Sequence, residues 1–141
     1  MKILIPTDGS IYSSNAAKVA GKIALEHDYE LIILHVVPSK GFSRKTWQKN
    51  GAEQVISTIV DILVNTGCDR DKIKTIIEDG NAPEKIVEVA EDMSVDRIII
   101  GTQGKNGLKK LAGSVTGKVL QISDILVLVV PPNYTITQFK I

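Results

Sequence analysis

Five short, almost purely aliphatic runs alternate along this chain with longer segments of helical spacing, and that alternation leaves few ways to fold. Lys2 to Ile5, Glu30 to Val37, Ile73 to Ile77, Val95 to Ile100 and Ile125 to Val130 read as strands. They are near-continuously apolar rather than alternating, which indicates burial on both faces and hence a parallel sheet covered by helices. Helices are predicted over Ser13 to Glu26, Trp47 to Asn65, Ala82 to Asp92 and Ser114 to Ile122. Ala16, Val19, Ala20, Ile23 and Ala24 share one face of the first, and Val55, Ile59, Ile62 and Leu63 form a stripe on the second. Pro83 suits the first turn of the third. Right-handed crossovers between parallel strands then give an α/β fold, a doubly wound five-stranded sheet in the order 3-2-1-4-5 with helices on both faces. Such sheets take ligands beyond the carboxyl ends of the strands where strand order reverses, here between the first and fourth.

Length and charge narrow the function. The 141 residues fit one domain, 1–141, with 133–141 as a C-terminal extension. With 17 basic and 16 acidic residues there is no broad field to favour nucleic acid or an anionic membrane. Ile3-Leu4-Ile5 stops at Pro6, too short for the core of a signal peptide, and no stretch reaches membrane-spanning length. Cys68 is the single cysteine, so it has no partner for an internal disulfide or a metal site. A reduced, cytoplasmic setting is expected. Gly41 to Asn50, polar and basic around Phe42 and Trp47, reads as a crossover loop. The tail Asn133 to Ile141 alternates apolar and polar residues in the manner of an edge strand.

The chemistry concentrates after the fourth strand. Ile98-Ile99-Ile100 ends at Gly101, glycine recurs at Gly104 and Gly107, and Gly113-Ser114-Val115-Thr116 opens the last helix. Strand, glycine loop and helix start form an anion site, because glycines let backbone N–H groups approach phosphate oxygens and the helix start adds unpaired N–H groups. After the first strand, Pro6-Thr7-Asp8-Gly9-Ser10 places a carboxylate where it can accept from a ribose hydroxyl or an adenine amino group. Asp8 and Ser10 serve equally well as turn former and N-cap of the next helix. A Walker A loop is rejected: Gly113 to Val119 is one residue short, lacks the final hydroxyl and lies inside a predicted helix. The Rossmann fingerprint is missing after the first strand. His35 reads as a satisfied, partly buried histidine and His27 as a cation at a helix C-terminus. Lys105, Lys109 and Lys110 crowd the glycine loop and suit either phosphate or solvent.

Together these stretches resemble the universal stress protein family over about residues 1–130. The resemblance is carried by Lys2 to Ser10, Leu34-His35-Val36-Val37, Asp96 to Gly104, and Gly113 to Thr116 leading to Val127-Leu128-Val129-Val130. It implies a five-stranded parallel sheet, a homodimer and, in one branch of the family, ATP binding. The site it implies comprises Pro6, Thr7, Asp8, Val36, Ile100, Gly101, Gln103, Gly104, Gly113, Ser114, Val115 and Thr116. Asp8 would contact the nucleoside, the backbone of Val36 the adenine, and the two glycine clusters the phosphates. Mg or Mn would be held by the phosphates. Two departures from the family pattern stand out. Eight residues separate Gly104 from Gly113, one fewer than usual, and Leu126 stands where a proline commonly begins the last strand.

The expectation is therefore a cytoplasmic, homodimeric, ATP-binding stress-response or regulatory protein with an unknown protein partner, acting on neither nucleic acid nor membrane. The alternative is a nucleotide-independent dimeric interaction module of the same fold. No general base or nucleophile is evident, so a robust enzyme is not expected, although slow ATP hydrolysis is compatible with the site.

Overall fold

A computed structural model describes residues 1–38, 46–102 and 114–135. Its strands are β1 (Lys2–Pro6), β2 (Glu30–Val37), β3 (Ile73–Asp79), β4 (Arg97–Gly101) and β5 (Leu126–Val130). Its helices are α1 (Ile11–His27), α2 (Thr46–Thr66), α3 (Ala82–Asp92) and α4 (Val115–Ile122). All strand pairings are parallel and the order is β3-β2-β1-β4-β5, as expected. The order reverses at β1, which pairs with β2 (Ile3 opposite Leu31) on one side and β4 (Leu4 opposite Ile98) on the other.

The alternation of side chains along the central strands divides the core in two. Ile3, Ile5, Ile33 and Ile99 face α1 and α2, where they meet Ala16, Ala20, Ile59 and Leu63. Leu4, Ile32, Leu34, Ile98 and Ile100 face α3 and α4, where they meet Ile86, Val87, Ala90 and Val119. The small residues of α1 let it lie close to the sheet.

Three local readings change. Helix α1 starts at Ile11, two residues before the periodicity suggests, because Ser10 in extended conformation caps it: the Ser10 hydroxyl accepts from the Ser13 N–H at 3.3 Å. Helix α2 starts at Thr46, one residue before the predicted Trp47, and takes the second half of the Gly41 to Asn50 segment that the loop reading overlapped. Gln48 and Lys49 favour helix, and no proline interrupts them. Burial on both faces holds for β1, β2 and β4 but not for the edges. On β5, Leu126 is 64% and Leu128 38% exposed, and β3 is largely exposed after Ile73. An edge strand has one neighbour instead of two, so an apolar composition does not by itself bury it.

The tail does not continue β5 over its described length. The chain turns after Pro131, Tyr134 packs against the core on the α1 side, and the Asn15 amide donates to the carbonyls of Pro132 and Tyr134 at 3.3 and 3.4 Å. The remainder, 136–141, lies outside the described residues, as do 39–45 and the segment 103–113 that holds Gln103, Gly104 and Gly113.

Candidate functional site

The turn from β1 into α1 is held by its own short polar side chains. Pro6 ends the strand and has no N–H to donate to the ladder. The Thr7 N–H extends the ladder by one bond, to the Leu34 carbonyl at 2.8 Å. The Thr7 side chain is buried, with its hydroxyl 2.8 Å from that of Ser13. Gly9 adopts a left-handed φ of +84°, a conformation that favours glycine. Asp8, half-buried, accepts the Ser10 N–H on Oδ1 at 2.9 Å, and Ser10 caps α1. The turn-forming and capping roles are thus realised, and they fix the Asp8 carboxylate at the carboxyl end of β1. His35 adds a brace from β2: its Nδ1 lies 2.8 Å from the Thr7 carbonyl oxygen. A carbonyl only accepts, so Nδ1 carries the proton.

At the end of β4, Ile100 is buried in the core and Gly101 lies against the first turn of α1. A β-carbon on Gly101 would come within 2.7 Å of the Tyr12 carbonyl oxygen and 3.0 Å of its carbon. Gly101 is therefore demanded by packing between β4 and α1, independently of any ligand. Helix α4 begins at the same place. Ser114, buried, accepts the Gly117 N–H on its hydroxyl at 3.0 Å and caps the helix. The Thr116 hydroxyl donates to the Gly101 carbonyl at 2.6 Å. Val115, between them, is exposed.

Sequence reasoning placed Pro6, Thr7, Asp8, Val36, Ile100, Gly101, Ser114, Val115 and Thr116 at one site. In the structure β1 and β4 are parallel neighbours, paired at Ile3–Arg97 and Leu4–Ile98 and unpaired beyond, and the start of α4 is bonded to the end of β4. Val36 stands near the carboxyl end of neighbouring β2, opposite Glu78 of β3. His35, read as a satisfied and partly buried histidine, is so, and its partner is the Thr7 carbonyl. Two contributors were missed, Tyr12 and Ser13 in the first turn of α1. Ser13 had a signal, being three residues after the cap Ser10. Tyr12 had none, because its contact joins segments far apart in sequence.

The site is furnished with hydroxyls, backbone groups and one carboxylate. The Thr102 hydroxyl oxygen, one residue beyond β4, is buried and finds no hydrogen-bond partner among the described residues. Burying a hydroxyl without a partner is costly, and such an atom calls for one. Among the described residues no three His, Cys, Asp or Glu side chains gather into a metal site. Among those residues also, no helix is long and apolar enough to cross a membrane.

A sequence model of the universal stress protein family matches residues 1–131. The universal stress protein MJ0531 of Methanocaldococcus jannaschii is 36% identical over 140 residues, covering 92% of this chain and 81% of the relative. MJ0577 of the same organism is 32% identical, covering 92% and 93%. The solved structure of MJ0577 superposes with a TM-score of 0.81, covering 95% of this chain and 97% of that one. A universal stress protein described in complex with cAMP has a TM-score of 0.77 at 24% identity, covering 94% and 98%.

Proposed function

The chain belongs to the universal stress protein family, and we propose that within it this protein is an ATP-binding stress-response or regulatory protein. The nucleotide would lie between the carboxyl ends of β1 and β4. The observation that carries this reading is the convergence of the Asp8 turn, Gly101 and the capped start of α4 on the point where strand order reverses. That is where an open parallel sheet receives ligands, and where helix-start N–H groups meet phosphate. The cAMP held by a protein of the same fold supports an adenine nucleotide as the class.

The residues fit such a group. Asp8 would accept from the nucleoside, and the backbone of Val36 would lie along the adenine. Pro6 and Thr7 would form the floor of the site with Ile100. The helix-start N–H groups of Val115 and Thr116, with Ser114, would meet phosphate oxygens. The buried Thr102 hydroxyl, one residue beyond β4, would be a further donor. Gln103, Gly104 and Gly113 are proposed to complete the phosphate loop. A divalent cation, Mg or Mn, would be carried by the phosphates. The proposal is of a binding protein, with hydrolysis at most slow.

We propose further that the protein is cytoplasmic and forms a two-fold dimer through β5, whose exposed Leu126 and Leu128 lie at a sheet edge. Those leucines are also the observation that favours the second reading, a dimeric interaction module that needs no nucleotide. Denaturing the purified protein and measuring released nucleotide by mass spectrometry separates the two. Stoichiometric ATP, ADP or AMP supports the first reading. If no nucleotide is released and calorimetry with added ATP shows no binding, the interaction module stands.

A further inference from the structure

The Thr116 hydroxyl has one proton to donate, and it donates it inward. Thr116 is 4% exposed, and its Oγ lies 2.6 Å from the Gly101 carbonyl oxygen, which accepts. A hydroxyl so engaged turns only lone pairs toward any other neighbour, and lone pairs repel a phosphate oxygen. The bond joins the last residue of β4 to the first turn of α4, the two ends of the segment 103–113. On the far side, Gly101 abuts the Tyr12 carbonyl of α1, so β4 cannot shift toward that helix. The start of α4 is thereby indexed to the sheet by a buried side chain. The Gly117 N–H is already taken by the Ser114 hydroxyl, and the first α-helical bond runs from the Lys118 N–H to the Ser114 carbonyl. The N–H groups of Val115 and Thr116 have no acceptor within the helix.

We propose that Thr116 is a positioning residue rather than a phosphate ligand through its side chain. Its hydroxyl staples the start of α4 to the end of β4, so that the N–H groups of Val115 and Thr116 stand at a fixed place relative to Gly101 before an anion arrives. This rests on the nucleotide reading above. It assigns Thr116 a task separate from that of Asp8, which lies on another element and answers to the nucleoside.

Thr116→Val and Thr116→Ser are compared with the wild type by calorimetry against ATP and adenosine, and by amide hydrogen exchange without ligand. Circular dichroism checks that each variant folds; if the valine variant does not, Thr116→Ala takes its place. Thr116→Val is expected to lose about tenfold or more in ATP affinity while adenosine stays within about twofold. Thr116→Ser, which keeps the hydroxyl, is expected to recover ATP binding. In unliganded Thr116→Val the amides of Gly117 and Lys118, both bonded to Ser114, are expected to exchange faster than in the wild type, with those of β1 unchanged. Wild-type ATP affinity in Thr116→Val, or equal losses for ATP and adenosine, overturns the proposal. If the wild type binds no adenine nucleotide, the nucleotide reading fails by itself. Exchange at the α4 amides then decides: faster exchange supports the staple and unchanged exchange overturns it.

Discussion

The carbonyl oxygen of Tyr12 stands 2.7 Å from the position a β-carbon on Gly101 would occupy. Neither group has a side-chain torsion that relieves the overlap, because both are backbone at the junction of β4 and α1. The glycine that resembles a phosphate contact is thus first a spacer. Gly101→Ala is expected to cost about 1–3 kcal/mol of stability, the usual penalty of overpacking. Urea unfolding of the unliganded protein measures it. A variant as stable as the wild type means the strand and helix have room to part.

Ser10 and Asp8 act as a pair at the start of α1. Ser10→Ala removes the acceptor of the Ser13 N–H and is expected to cost about 1 kcal/mol, whereas Ser10→Gly is expected to cost only a few tenths. Thermal unfolding of the two variants checks the order. Both variants lose the hydroxyl, so equal costs would show that the backbone preference at the cap contributes little.

The exposed leucines of β5 carry the dimer proposal. Leu128→Lys places a charge on the edge strand and is expected to convert the protein to a monomer without unfolding it, since Leu128 is 38% exposed in the single chain. Light scattering at tens of micromolar, about the range in which a weak apolar interface assembles, gives the answer. A wild-type protein that is already monomeric there refutes the dimer.

In the proposed site, the one-residue-shorter spacing between Gly104 and Gly113 would bear on the terminal phosphates alone, since Asp8 and Val36 lie on other elements. Discrimination between ATP and ADP is expected to be weak, less than about 1.4 kcal/mol or tenfold in affinity. Inserting one residue after Leu111 is expected to raise the preference for ATP. A hundredfold or greater preference in the native protein means the shorter loop is harmless.

Cys68 sits in the core with its sulfur 3.6 Å from the Gly21 carbonyl, and burial pushes its thiol pKa upward. The folded state therefore holds the proton more tightly than the unfolded state. Stability from this group is complete below the unfolded thiol pKa of about 8.5 and declines as pH rises through the higher folded value. Iodoacetamide at pH 8 is expected to label Cys68 only after denaturant is added. Labelling of the native protein at the rate of a free thiol would show that the site opens.

How much was legible along the chain differs from residue to residue. The bounds of β2 and α3 were read to the residue, because Pro38 and the Asn81-Ala82-Pro83 start are strong local stops. Ser114 was read as a helix start and is the cap of α4. The start of α1 was missed by two residues, since a serine cap leaves no apolar period to detect. The direction of the Thr116 hydroxyl was not legible, because threonine at a helix start serves equally as ligand, cap or staple until its neighbour is known.

By itself the sequence determined the order of the five strands and four α-helices, and the parallel sheet with its reversal between the first and fourth strands, but not the 3-10 turn at Arg70–Lys72. These follow from hydrophobic periodicity and turn residues, which act over a few positions and so are written locally. Only the tertiary structure decided how far the apolar side chains of the edge strands lie open, why Gly101 has no side chain, and that Thr116 faces the sheet. Each of those depends on two segments distant in the chain meeting within a few ångströms, and no local pattern encodes that distance.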